Sequence, residues 1–369
     1  MALSIDERVE LVKRNSEELV SEDELRKLLS EKETPTAYIG FEPSGIVHMG
    51  WVLVAQKIRD LTEAGFKVTI FWADWHAYIN DKLGGDLENI RACARYMEDC
   101  FKALGVPEDK VEFRYASEVL SNIEYWEMVI KVAKVTNLAR VKRAMTIMGR
   151  GQDEAEVDTS KVFYPILQAT DIFCMGQDLA YAGLDQRRAH MLARDAADKL
   201  GWKKPIALHT PLLPGLKGGV RMDATSEKVD PRDRDTFDFK MSKSSPEGSI
   251  FIHDDRDAIA KKMKKAFCPP EKELESENPV LMMCRYILFP RNGRIDIDRP
   301  EKYGGPVSYG SYEELTEAYF GGSLSPVDLK SGVTDGMAKT LQPVADYFAK
   351  KPENYERIQE IVAGLKKLR

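Results

Sequence analysis

At 369 residues, and roughly 100–200 residues per domain, the chain is expected to form two domains, or three. With 43% hydrophobic and 31% charged residues it has the composition of a soluble globular protein, which excludes a disordered or collagen-like chain. Lysine and arginine number 54 against 60 acidic residues, a formal net charge of −6, which excludes a globally basic nucleic-acid coat but leaves room for a local basic face.

Residues 7–29 place Val9, Val12, Val20, Leu25, Leu28 and Leu29 at helical spacing, with Ser16 and Ser21 ahead of acidic turns as caps, so 1–30 is expected to be helical. These first residues lack the apolar stretch of a secretory signal. After Pro35, TAYIGFEPSG is a short β-prone run closed by Pro43 and Gly45. A helix over 47–64 follows, its apolar side running through Trp51, Val54, Ile58 and Leu61, and Gly65 stops it. The segment KVTIFWADWHAYIN (67–80) reads as one buried parallel strand, completing a βαβ unit. Next come a helix over 90–104, a third strand in VEFRYASE, and a helical region over 125–150 studded with Lys131, Lys134, Arg140, Lys142, Arg143 and Arg150.

An acidic loop over 151–158 leads to VFYPILQATDIFCMG as helix, DLAYAGLD as strand and QRRAHMLARDAADKLG as helix. This alternation predicts an α/β fold with a doubly wound parallel sheet, a Rossmann-like catalytic domain over 1–235 that carries a helical insertion at about 115–160. A glycine-rich, charged stretch beyond Pro211 reads as a crossing, with a linker loop over 236–249 and an α-helical domain over 250–369. The five cysteines are odd in number, scattered and without a C-x-x-C pair, which indicates reduced thiols rather than a disulfide framework or a zinc knuckle. No apolar run approaches the ~20 residues of a membrane span.

Two segments invite a phosphate. In Phe41-Glu42-Pro43-Ser44-Gly45-Ile46-Val47-His48-Met49-Gly50, His48 sits at the start of a helix whose N–H groups and dipole suit an anion, and Gly50 leaves space for a nucleotide. An ordinary βα turn with a surface histidine satisfies the same pattern. In Lys240-Met241-Ser242-Lys243-Ser244, two lysines flank a hydroxyl on a linker, as a polyphosphate grip requires; a solvated charge run is the plain alternative. Walker and G-x-G-x-x-G loops and an H-E-x-x-H metal helix are missing from the sequence. In a third segment, Tyr164, Gln168 and Asp171 share one stripe of a helix that Pro165 can initiate, which fits a polar pocket wall or a solvent face.

Taken together, the H-x-G turn and the KMSKS loop, in this order and a whole α/β domain apart, resemble the two nucleotide-binding motifs of class I aminoacyl-tRNA synthetases. Tyr38 within AYIGFEPSG, the run from Tyr164 to Asp171, and Gly183-Leu184-Asp185-Gln186-Arg187 resemble the tyrosine pocket of archaeal and eukaryotic-type tyrosyl-tRNA synthetases, and the likeness extends into the C-terminal domain. The resemblance implies that Tyr38 and Asp171 bind the substrate phenol, that Tyr164, Gln168 and Gln186 hold its amino group, and that Gly40 lies under the substrate. Physically, a phenol donates to a carboxylate and accepts from a second phenol, so phenylalanine would leave two buried polar groups unpaired.

By the same resemblance Gly50, Gly183 and Asp185 meet ATP, while His48, Lys240 and Lys243 contact its phosphates as the catalytic groups, with Mg²⁺ accompanying the nucleotide. Trp51 stands where the family often has a second histidine. Arg143 and Arg187 match positions that read the first base pair of the acceptor stem, or else balance nearby carboxylates. EKYGG and SPVDLK resemble the anticodon site, with Tyr303 as stacking platform and Asp328 as acceptor, and Ser325 where some relatives carry histidine. The expected activity is ATP-dependent formation of tyrosyl-adenylate and transfer to tRNA-Tyr, by a cytoplasmic homodimer built on 115–160. Two alternatives remain: a tryptophanyl enzyme, and a paralogue that binds tRNA or tyrosine without charging.

Overall fold

The computed structural model describes residues 3–148, 158–218, 241 and 246–367. Helix α1 (Ile5–Lys13) starts in a capping box: Ser4 accepts the Glu7 N–H while the Glu7 carboxylate accepts the Ser4 N–H at 2.7 Å. A short strand, β1 (Glu18–Val20), precedes α2 (Glu22–Glu31), whose cap is Ser21. Then follow β2 (Thr36–Phe41), α3 (Gly50–Glu63), β3 (Lys67–Trp72), α4 (Asp74–Ile79), α5 (Leu87–Ala103) and β4 (Val111–Tyr115). The chain continues through α6 (Ala116–Leu120), α7 (Ile123–Val135), α8 (Leu138–Ala144), α9 (Ser160–Cys174), β5 (Leu179–Gly183), α10 (Arg187–Leu200) and β6 (Ile206–Thr210).

These strands form one sheet in the order β1-β6-β5-β2-β3-β4, parallel except for β1, which runs antiparallel to β6. The order reverses between β2 and β5, where open α/β sheets bind ligands. Strand β2 pairs with β3 along its whole length, but with β5 only at Ala37 and Tyr38. Beyond Tyr38 the two strands part, so a crevice opens at the carboxyl ends of β2 and β5.

The segment expected to be a single strand over 67–80 is strand only to Trp72 and turns into α4 at Asp74. The Asp74 carboxylate causes the turn: one oxygen accepts the N–H groups of Trp75 and Ser117, both at 3.0 Å, and the other faces Arg91. The N-terminal pair of helices contains a strand, and Ser16 caps neither helix; its hydroxyl donates to the Lys13 carbonyl. Helix α9 starts at Ser160, so Pro165 lies inside it instead of initiating it. On α3 the buried side is Val52, Leu53, Ala55, Ile58 and Leu61, whereas Trp51 and Val54 are half-buried.

The chain forms two compact units, Met1–Gly45 with Lys57–Pro211 and Glu353–Arg369, and Ile46–Gln56 with Leu212–Pro352. This division differs from the expected boundaries at 235 and 250 in three places: the first boundary falls at Pro211, and residues 46–56 and the last helix belong to the other unit. Residues 46–56 belong with the later segment because the Met49 N–H donates to the Ile250 carbonyl and the Ile252 N–H to Val47. The second unit otherwise holds α11 (Arg256–Lys264), α12 (Pro279–Met283), α13 (Phe289–Asn292), a two-stranded antiparallel ribbon of β7 (Ile295–Ile297) and β8 (Val307–Tyr309), α14 (Tyr312–Phe320) and α15 (Pro326–Phe348). The last helix, α16 (Glu353–Lys367), returns to α5, where Tyr355 stacks on Tyr96 and Asn354 donates to Asp99.

One buried cation fastens the N-terminal helix to this frame. Lys57 on α3 donates to the carbonyls of Val12 at 2.9 Å, Leu11 at 3.2 Å and Arg14, and lies 3.4 Å from Asp60, which also pairs with Arg14. It therefore serves the open carbonyls at the end of α1. Burial pulls its ammonium down to about 8. Lys57→Ala strips these carbonyls and weakens the pairing of buried Asp60, so urea unfolding is expected to show a loss of about 2–4 kcal/mol; a loss under about 1 kcal/mol would contradict this anchoring role.

Candidate active site

The floor of the β2–β5 crevice is aromatic and acidic. Tyr38 on β2 is 2% exposed, and its ring packs against Phe71 with centroids 5.7 Å apart. Gly40, two residues on and on the same face, is needed for that placement: a Cβ there would stand 2.3 Å from the Tyr38 hydroxyl. The space expected under a substrate is thus taken in part by Tyr38's own phenol.

Asp171 on α9 is 1% exposed. The Tyr125 hydroxyl, from α7, donates to its Oδ1 at 2.7 Å. Among the described residues Oδ2 has no hydrogen-bond partner, although His76 Nε2 stands 3.2 Å away without the alignment a hydrogen bond needs. Burial pushes the Asp171 carboxyl up to about 8, opposed by the Tyr125 bond, and pulls the His76 imidazole down to about 4. Tyr38 and Tyr125 are also held far above the ordinary phenol range, by burial first and by the Asp171 charge second. The pocket therefore offers neutral hydroxyls and one open carboxyl oxygen, Oδ2, whose ionised form a bound donor would favour.

Tyr164 meets the His76 ring edge-on at 5.1 Å, and its hydroxyl bonds to Glu42, which also accepts from Asn80 at 2.9 and 3.1 Å. Gln168 donates to Gln186 Oε1 at 3.2 Å, Gln186 donates to the Ile147 carbonyl, and the buried Gln168 Oε1 has no partner among the described residues. The helical stripe thus faces a polar pocket. Gly183 ends β5, and Asp185 lies in the turn Leu184–Gln186, half-buried at the crevice mouth.

In the second unit, His48 bridges to Phe251, and its Nδ1 accepts the Gly50 N–H at 3.2 Å. Accepting at Nδ1 puts the neutral ring's proton on Nε2. A Cβ at Gly50 would come within 2.9 Å of the His48 ring, so this glycine also makes room for its neighbour. The expected open N–H groups at the start of α3 are engaged: Gly50 with His48 Nδ1, Trp51 with the His48 carbonyl and Val52 with the Met49 carbonyl. Lys240 and Lys243 lie outside the described residues.

The model of class I tRNA synthetases (W and Y) matches residues 30–239 and 235–342. The chain belongs to this family. It is 49% identical over 344 residues to a tyrosine–tRNA ligase of Aeropyrum pernix, covering 93% of each chain. To the ligase of Saccharolobus solfataricus it is 46% identical, covering 98% of each. Among solved structures it resembles tyrosyl-tRNA synthetase from Aeropyrum pernix (TM-score 0.85, 42% identity, 98% of this chain and 100% of that one). It also resembles the Pyrococcus horikoshii synthetase complexed with L-tyrosine (TM-score 0.88, 39% identity, 97% and 100%).

The residues assigned to RNA are more dispersed. Arg187 donates through Nε to both oxygens of Glu18, at 2.8 and 3.1 Å, and Glu18 also meets His209 at 2.9 Å, so this arginine does balance a carboxylate. That pairing holds Glu18 down at about 2, the His209 bond contributing most. Arg143 is exposed in the last turn of α8. Tyr303 is 60% exposed in the turn Glu301–Tyr303, and Arg299 ties its loop to the Ser323 carbonyl. Ser325 caps α15: it accepts the Asp328 N–H and donates to the Asp328 carboxylate at 2.8 Å, which gives a local reason for serine there.

His76, Tyr125, Glu42 and Asn80 received no role from the sequence. Asp74 and His76, polar residues inside an apolar run, were the available signal for the first. Tyr125 shares a helical stripe with Val129 and Val132 and reads as core; only its hydroxyl, which burial obliges to find a partner, hinted otherwise.

The folded chain keeps a proton on Asp171 that the unfolded chain, with an ordinary value of 3.8, has released, so the associated stability fades as pH climbs from about 4 to about 8. Asp171→Asn retains an acceptor for Tyr125 and cannot ionise. It is expected to melt with the wild type below about pH 4 and a few degrees above it near pH 9; parallel curves across that range would show that the carboxyl is not buried unpaired.

Proposed function

We propose that the chain is a tyrosine–tRNA ligase that joins L-tyrosine to ATP as tyrosyl-adenylate and passes the tyrosyl group to the 3′-terminal adenosine of tRNA-Tyr. The observation that carries this reading is the unpartnered Asp171 Oδ2, buried beside Tyr38 and Tyr125 in a crevice at the sheet's switch point. A substrate phenol would donate to Oδ2 and accept from Tyr38. Its ammonium would be met by Gln168, Gln186 and the Tyr164–Glu42 pair, which places its carboxylate toward the mouth where Gly183 and Asp185 stand.

That carboxylate attacks the α-phosphorus of ATP and pyrophosphate leaves; the adenosine hydroxyl of tRNA then attacks the tyrosyl carbonyl and AMP leaves. No side chain becomes covalently attached. His48, Lys240 and Lys243 supply charge and hydrogen bonds to the phosphates, Gly50 gives close approach, Asp185 accepts from the ribose, and Mg²⁺ comes with the nucleotide. Arg143 and Arg187 serve the acceptor end of tRNA, Tyr303 and Asp328 the anticodon. Homodimerisation would cover Ile123, Trp126, Ile130, Leu138 and Phe163, which are 72%, 39%, 68%, 58% and 48% exposed on the helical insertion and the start of α9. No helix among the described residues is long and apolar enough to cross a membrane, and we place the reaction in the cytoplasm.

The test is amino-acid-dependent exchange of labelled pyrophosphate into ATP, without tRNA. Tyrosine alone should support exchange, and Asp171→Ala should lower it by two orders of magnitude or more, as about 3 kcal/mol of phenol recognition implies. Exchange with tryptophan in place of tyrosine would move the chain to the family's other substrate, and silence with every amino acid would leave a binder that does not charge.

A further inference from the structure

A second cleft in the first unit lies between the α7–α8 junction and α10. It encloses about 200 Å³ and is lined by Thr136, Asn137, Arg140, Arg143, Asp195 and Lys199, with Leu192 and Ala196 as its base. Three cations face one carboxylate in a chain whose net charge is −6, so this is the kind of local basic face that the overall composition leaves possible. Arg140 spends one nitrogen on Asp195, at 2.7 Å, while its buried Nε–H has no acceptor among the described residues. A guanidinium that is only partly paired gains from an acceptor at its accessible nitrogens. Lys199 donates to the Val135 carbonyl at 2.7 Å, which holds its ammonium at the rim, and neither it nor Arg143 enters a described ion pair. The Asn137 oxygen is taken by the Arg140 N–H at 2.8 Å, leaving its NH₂ group as a further donor.

The geometry points to a site for a backbone phosphate of the RNA substrate, gripped by Arg140, Arg143, Lys199 and Asn137. This inference rests on the proposed function and extends it. Arginine forks and lysine point charges suit phosphate oxygens, and such contacts set the register of a nucleic acid without reading its bases. The cleft lines α10, the helix whose first residue, Arg187, follows pocket residue Gln186. Twelve residues at 1.5 Å per residue place Lys199 roughly 18 Å along that helix, so RNA delivering its 3′ end to the pocket can be held at both ends of α10.

Two substitutions with opposite expected effects test it on the full-length chain. Lys199→Ala should weaken tRNA binding several-fold and lower the slope of log affinity against log salt by ~0.7–0.9, the loss of one phosphate contact, while tyrosine-dependent exchange stays at the wild-type rate. Lys199→Arg should restore both. Asp195→Asn, which removes the only carboxylate lining the cleft among the described residues, should tighten binding. Wild-type affinity and slope in all three variants would overturn the proposal, as would parallel loss of exchange and binding that arginine does not restore. A rise in thermal midpoint with inorganic phosphate that Lys199→Ala abolishes, without any change in tRNA affinity, would make this a small-anion site and overturn the RNA assignment. Filter binding of tRNA reads these outcomes even if no amino acid supports exchange, so failure of the activation chemistry and failure of the cleft are distinguishable.

Discussion

Burying the Asp171 carboxylate withdraws it from water, and the surrounding architecture answers that single cost. One oxygen is satisfied by Tyr125 at 2.7 Å, the other is left open, and the carboxyl is pushed up to about 8. A hydrophobic wall would be cheaper; a buried carboxyl with one oxygen unpaired suits a site that receives a hydrogen-bonding group. His76 obeys the same constraint from the other side. Its imidazole, pulled down to about 4, stays neutral and adds no positive charge that would compete with a substrate hydroxyl for Oδ2.

Gly40, just ahead of the first nucleotide-type segment, and Gly50, at its end, each act on a neighbour. Tyr38 reaches over Gly40, and His48 folds onto Gly50, each across two residues; a Cβ would stand 2.3 Å from the Tyr38 hydroxyl and 2.9 Å from the His48 ring. Absence of a side chain therefore fixes the direction of an aromatic or imidazole ring before any ligand arrives. Such preorganisation leaves less conformational freedom to lose on binding. The parting of β2 from β5 after Tyr38 complements it: the same strand that orients the phenol also opens the crevice it faces.

Much of this was legible in the residues. The alternation of strand and helix gave the parallel sheet, and the stripe Tyr164, Gln168, Asp171 gave one wall of the pocket. Misread elements failed for identifiable reasons. In the run over 67–80 apolar continuity outweighed Asp74, whose carboxylate captures two N–H groups and turns the chain into α4; calling it strand hid His76. β1 escaped because three residues carry too little pattern to outvote helices on both sides, and with it went Glu18, the partner of Arg187. Residues 46–56 and α16 joined unexpected units through long-range contacts that no local pattern encodes.

On the proposed reading of the site, discrimination follows from counting donors and acceptors. Tyrosine offers a hydroxyl that can donate to Asp171 Oδ2 and accept from Tyr38, leaving neither group unpaired. Phenylalanine satisfies neither. An indole can donate its N–H to Oδ2, but it has no acceptor for the Tyr38 hydroxyl, and Tyr38 is 2% exposed, its hydroxyl held protonated by burial. Tryptophan would also need more room beside Tyr38 and Tyr125, where packed rings yield little. The carboxylate alone would thus separate tyrosine from phenylalanine, and it takes the second phenol, placed by a glycine two residues away, to separate it from tryptophan.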